Sequence, residues 1–162
     1  MSGPASGLKL GAGLDPGKLA AAFARFGRLH LPGVLPLAQA RAESTALATA
    51  TPWHKSMHIG GKGYDFALET RYRAGDFLAA HDDGVEGKNR LYAYVLNFTP
   101  AWRTDRGGLL AFHDADGHVA EAYVPTFNAL NIFRVPQLHA VTQVASYAAG
   151  ERLSVTGWIR ER

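Results

Sequence analysis

A chain of 162 residues with seven histidines, no cysteine and a net charge of +3 suits one domain with a sizeable core. Without cysteine there is no disulfide, thiolate zinc site, iron–sulfur cluster or cysteine nucleophile. Arg71, Arg73, Arg90, Arg103 and Arg106 are dispersed and read as solvated surface charges, so no nucleic-acid partner is expected. Met1 to Gly17 is glycine-rich without the apolar centre of a signal peptide, and no stretch nears the ~20 apolar residues of a membrane span. These features predict a cytoplasmic protein with no membrane partner, a flexible N-terminal segment over 1–17, and a single domain over 18–162.

Asp15 and Pro16 signal the start of a first helix, whose apolar face is Leu19, Ala22, Phe23 and Phe26 and whose end is Gly27. Arg28-Leu29-His30-Leu31 alternates as a strand does. A second helix is expected from Pro36 to about Thr49, with Leu37, Ala40 and Leu47 inward. From Trp53 onward the pattern changes to short extended runs: Phe66–Arg73, Phe77–Asp83, Arg90–Phe98, Gly108–His113, His118–Tyr123, Ala129–Arg134, His139–Val144 and Arg152–Arg160. Turn residues separate them, among them Ala74-Gly75-Asp76, Gly84 to Asn89, Asp114 to Gly117 and Ala149-Gly150. Two helices followed by about eight short strands predict a mainly β fold with flanking helices, of the sandwich, barrel or jelly-roll type.

The chemistry concentrates in His81-Asp82-Asp83, with His139 and Arg152 downstream. On a strand, His81 and Asp83 at i and i+2 would share a face and Asp82 would point away. Two imidazoles and one carboxylate form the facial triad of non-haem iron sites, which leaves coordination positions open. Taken alone, a His-x-acid triplet arises often by chance, and a surface histidine beside two turn aspartates is the plainer explanation. The joint pattern reverses that balance. Arg152, Ser154, Thr156 and Trp158 fall on one face of the last strand, and a planar guanidinium beside a hydroxyl suits a bidentate carboxylate.

In order along the chain stand Tyr72, Gly75-Asp76-Phe77-Leu78, His81-x-Asp83, Leu96-Asn97, Gly107-Gly108, Pro125 with Asn128, Phe133, His139-x-Val141, Arg152-x-Ser154 and Gly157-Trp158. This order resembles the iron(II)/2-oxoglutarate dioxygenases, and within them the prolyl 4-hydroxylase-like branch, over about residues 23 to 160. The resemblance implies a double-stranded β-helix, a cupin-like jelly-roll barrel. It implies His81, Asp83 and His139 as Fe(II) ligands, and Arg152 assisted by Ser154 and Tyr72 for 2-oxoglutarate. Trp158, Val141 and Asn97 would line the pocket. O2 is the implied second co-substrate, with ascorbate as an accessory reductant and succinate and CO2 as co-products. Retention of Asp83 implies hydroxylation, since related halogenases carry a small residue there.

The chain departs from the branch pattern in having Val95 immediately before Leu96-Asn97, with Tyr94 out of phase, and in a longer hairpin at Ser146 to Gly150. The implied substrate is a prolyl residue in a protein or peptide, with a free amino acid or small metabolite as the alternative. A non-catalytic cupin-like metal-binding module is the reading from another class, and Arg152 with Ser154 argues against it. Loops Ile59 to Tyr64 and Gly84 to Asn89 are the candidates to flank the barrel mouth.

Overall fold

A computed structural model describes residues 14–53 and 68–161. Helix α1 spans Pro16–Phe26, with Asp15 Oδ1 accepting from the Gly17 and Lys18 amides and Gly27 closing it in a left-handed conformation (φ 68°). The folded part thus reaches further toward the N-terminus than residue 18, because the cap and first turn lie within the segment expected to be flexible. Residues 1–13 are outside the described ones.

Strand β1 (Arg28–Pro32) and helix α2 (Leu37–Thr49) follow, then strands β2 (Leu68–Tyr72), β3 (Leu78–His81), β4 (Arg90–Asn97), β5 (Leu110–His113), β6 (Val119–Tyr123), β7 (Ala129–Arg134), β8 (His139–Val141) and β9 (Arg152–Arg160). The first two residues of the expected run from Phe66 are outside the described ones. The strands form two antiparallel sheets, ordered β1-β7-β4-β9-β2 and β3-β8-β5-β6. This is the two-sheet arrangement of a double-stranded β-helix. Among the described residues no helix is long and apolar enough to cross a membrane.

Strand alternation sorts the larger sheet into two faces. Leu96 and Leu153 look outward and pack with Phe98, Val34 and Leu35 against Ala40 and Leu47 of α2. Ala93, Val95, Phe133 and Val135 look inward and meet Leu110 and Phe112 of the smaller sheet. Asn128 pins the approach to α2: its Oδ1 accepts from the Leu35 amide and its Nδ2 donates to the Leu35 carbonyl. That anchor puts Val34 and Leu35 in the core position, so Leu37 is exposed rather than inward. Phe26 is exposed as well, with the Arg25 guanidinium over its ring, while Phe23 packs edge-on against Tyr92.

Not every arginine is a surface charge. Arg90 and Arg152 are buried, and Arg71 lies over the Trp53 ring at 4.8 Å. Arg28 faces inward from β1, stacks over Phe112 at 5.0 Å, and pairs with Glu121 of β6. Because β1 and β6 are edge strands of different sheets, this pair ties the two sheet margins together.

Phe112 is fully buried between the sheets, with edge-on contacts to Tyr123 and Phe133. Its replacement by alanine should cost about 3–5 kcal/mol. A urea titration should show this as a lower midpoint at unchanged slope, and an unshifted midpoint would contradict the assignment of Phe112 to the core.

Candidate metal and carboxylate site

His81 ends β3 and His139 begins β8, and the two are direct partners across the ladder. Their rings stand 4.3 Å apart between centroids. His139 is packed from behind by Phe133 at 4.6 Å, whereas His81 keeps about a third of its side chain open to solvent. Asp83 is not on the strand. β3 stops at His81, and Asp83 follows with a left-handed backbone (φ 62°), so the expected shared strand face does not bring the two side chains together. The turn does. It aims Asp83 Oδ1 at His81 Nε2 (3.5 Å) and Oδ2 at His139 Nε2 (3.6 Å). Asp82 is exposed, as expected, and its Oδ1 accepts from the Gly84 amide.

Both imidazoles are oriented alike. Nδ1–H of His81 donates to the Ala79 carbonyl and Nδ1–H of His139 to the Gln137 carbonyl, each at 2.8 Å. That tautomer leaves both Nε2 lone pairs facing the carboxylate. Metal-ligating histidines are commonly fixed in this way, with the far nitrogen donating to a carbonyl or carboxylate. Separations of 3.5 and 3.6 Å are too long for strong hydrogen bonds and suit atoms that share a cation. The donor set of two imidazoles and one carboxylate therefore fits a divalent non-haem iron. A second cluster, Asp114, Asp116 and His118, is wholly exposed, and Asp114 Oδ1 is engaged by the backbone amides of Asp116 and His118 in the β5–β6 turn.

The charges are distributed accordingly. Burial alone would lower the pKa of His81, but the Asp83 carboxylate and the Ala79 carbonyl outweigh it and raise the value. His139 is pushed down by its deeper burial and by the neighbouring His81. Burial pushes Asp83 up, yet His81 and His139 hold it below the usual carboxylate value.

Arg152 lies on the inner face of β9 with 1% of its surface exposed. Its register partner on β2 is Tyr72, whose ring lies 5.0 Å from the guanidinium carbon. Among the described residues no acidic side chain pairs with Arg152, and its Nε has no hydrogen-bond partner. Burial lowers its pKa, opposed only by Tyr72; burial raises that of the Tyr72 phenol. Gly108 makes room for this side chain, because a Cβ there would sit 3.2 Å from Arg152 Cδ. A buried cation without a counter-charge is costly, so the position calls for an anion.

Ser154 is fully buried beside it, with Oγ 2.7 Å from the Thr70 hydroxyl. Val141 is buried on the same face as His139, and Trp158 faces the interior cluster. Asn97 is inward and fully buried, opposite Ser154, with Nδ2 donating to the Ala129 carbonyl. Val95 faces inward at the position where the branch pattern has a tyrosine, while Tyr92 and Tyr94 fall on the opposite face of β4, where Tyr92 meets Phe23 of α1. Tyr72 is thus the tyrosine beside Arg152. Sequence reasoning passed over Thr70 and Arg90. Thr70 carried no signal, and Arg90 resembled the dispersed surface charges. The expected loop Ile59 to Tyr64 is outside the described residues.

A family model for the 2OG-Fe(II) oxygenase superfamily matches residues 68–160. The chain belongs to the 2OG-Fe(II) oxygenase superfamily. Members of this superfamily depend on Fe(II), 2-oxoglutarate and O2. The prolyl 3-hydroxylase OGFOD1 of Mus musculus is 36% identical over a 95-residue alignment that covers 54% of this chain and 17% of that protein. The chain thus spans less than a fifth of that relative's length. A prolyl-4-hydroxylase from Pseudomonas putida has the same fold, with a TM-score of 0.75 at 22% identity over 98% of this chain and 97% of that one. A 2OG-Fe(II) oxygenase family oxidoreductase from Burkholderia pseudomallei superimposes with a TM-score of 0.68 at 15% identity, over 93% and 91%.

A metal needs the neutral imidazole of His81, so protons compete with it. Because Asp83 raises the His81 pKa, that competition should begin above pH 6.5, the ordinary histidine value, and strengthen as pH falls. Co(II) titrations across this range should show affinity dropping with acid from that higher onset; a constant affinity down to pH 6 would contradict the coupling.

Proposed function

We propose that this chain is an Fe(II)- and 2-oxoglutarate-dependent hydroxylase that acts on a prolyl residue in a protein or peptide. One observation carries the reading. Arg152 is buried with no acidic partner among the described residues, inside the same barrel as the His81–Asp83–His139 cluster. A bare metal-binding module has no use for a buried cation of this kind.

In this reading His81, Asp83 and His139 hold the iron, and Arg152 receives the distal carboxylate of 2-oxoglutarate. Ser154 adds a hydroxyl, and the Tyr72 phenol stands across the strand pair. When bound, the metal and co-substrates supply the oxidising power that puts one oxygen atom of O2 into an unactivated C–H bond, with succinate and CO2 formed. The chain's own part is to orient these groups and keep water away. Val95, Val141, Phe112 and Phe133 provide the dry wall. Ascorbate would act only as an accessory reductant.

The substrate class rests on relatives. The mouse relative is a prolyl 3-hydroxylase and the P. putida protein a prolyl-4-hydroxylase, so the two agree on proline and differ in ring position. The more open side of His81 supplies an approach for a chain-borne side chain.

The test is to incubate the protein with Fe(II), 2-oxoglutarate and proline-containing peptides and to follow succinate together with peptide mass. The expected result is a peptide heavier by one oxygen atom, stoichiometric with succinate, and no such product from Asp83→Ala. Arg152→Gln should raise the KM for 2-oxoglutarate about tenfold to a hundredfold, as loss of a charge-assisted pair implies. Hydroxylation of free proline but of no peptide would overturn the substrate assignment.

A further inference from the structure

Asp83 is the one ligand of the cluster that no strand holds, and its left-handed backbone costs a non-glycine residue about 1–2 kcal/mol. Its neighbours are tied down by other means. The Asp82 carbonyl accepts from the Gln137 amide at 3.2 Å, and the Asp82 carboxylate holds the Gly84 amide. These bonds secure the turn on either side. They do not engage Asp83 itself.

Arg90, the first residue of β4, does. Its Nη1 donates to the Asp83 main-chain carbonyl at 3.1 Å and lies 3.8 Å from Asp83 Oδ1. The side chain is almost wholly buried, and its guanidinium carbon sits 3.8 Å from the centre of the Trp158 ring. Arg90 is therefore held flat by an aromatic face on β9 while its donor edge reaches Asp83. The planar fork of arginine allows both contacts at once, and the compact ammonium of lysine does not.

We propose that Arg90 is a positioning residue for Asp83. It fixes the main chain of the turn so that the carboxylate stays between His81 and His139, with Trp158 as its backing. The inference rests on the reading of this cluster as a metal site. The distances separate positioning from charge masking: the strong hydrogen bond goes to the carbonyl, while the carboxylate oxygen stands beyond hydrogen-bond reach and stays free to bind a cation. The two buried arginines of the barrel then have different duties. Arg152 awaits an external anion, and Arg90 serves a residue of the chain.

The test is a double-mutant cycle on Co(II) affinity, read by calorimetric titration of the full chain with a circular-dichroism melt of each metal-free variant. Arg90→Met and Arg90→Lys should each weaken Co(II) binding by about tenfold or more, in the range that loss of a ligand-orienting partner produces. In the Asp83→Ala background the same changes should have no further effect, because nothing remains to position. Equal losses in both backgrounds would overturn the proposal, since they would mark a general structural role. So would unchanged Co(II) affinity in folded Arg90→Met. If Arg90→Met does not fold, Arg90→Lys, which keeps charge and stem, decides on the same criteria. Failure of the unsubstituted protein to bind Co(II) would instead overturn the metal-site reading, and this inference with it.

Discussion

His81 and His139 face each other directly across one antiparallel ladder, and that pairing sets the terms for the rest of the site. Two imidazoles with centroids 4.3 Å apart cannot both carry charge cheaply. The structure resolves this with one carboxylate. Asp83 supports the more exposed ring, while the buried ring, backed by Phe133 and Phe112, is driven toward neutrality. The carbonyls of Ala79 and Gln137 then fix both tautomers from the outer side. Three lone-pair donors are left converging on one point, an arrangement that a divalent cation completes and a proton does not.

The two sheets divide the chemistry. The smaller sheet, with the turn after β3, carries the His81–Asp83–His139 cluster; the larger carries Arg152, Ser154, Thr70 and Tyr72 on the inner faces of β9 and β2. A barrel is the economical way to bring these sets together, because each strand sends alternate side chains inward. The same alternation commits Leu96 and Leu153 to α2 and so secures the strands that bear the polar groups. Closure at the far margin falls to Arg28 and Glu121. Among the described residues no acid offsets the burial of Arg152, a cost that folding alone gives no reason to accept, which is why that residue argues for a bound anion.

Much of this was legible in the residues. Short extended runs between turn residues placed seven of the eight later strands within a few residues of their observed limits, and the eighth, β2, over the part that is described. The ordered spacing of His81, Asp83, His139, Arg152 and Ser154 identified the groups that the barrel gathers. A shared strand face does not join His81 and Asp83, because strand geometry ends at His81 and a left-handed turn, invisible to alternation, supplies the convergence. Arg90 was illegible for a related reason. An arginine at a strand start looks like any surface charge until the partner beneath it, Trp158, is brought from the far end of the chain. Leu37 and Phe26 failed in the opposite direction: helical periodicity marked them inward, but both are exposed, with Val34 and Leu35 in the core beside Asn128 and Phe23 against Tyr92.

The central claim is that one chamber holds a metal beside a carboxylate-bearing co-substrate. Anaerobic titration of the metal-free protein with Fe(II) and 2-oxoglutarate tests this most directly, by the visible charge-transfer absorption of the chelated metal. The expected result is a band that needs both additions, is absent in Asp83→Ala, and calls for far more 2-oxoglutarate in Arg152→Gln. Tight Fe(II) binding without such a band at any 2-oxoglutarate concentration would contradict it.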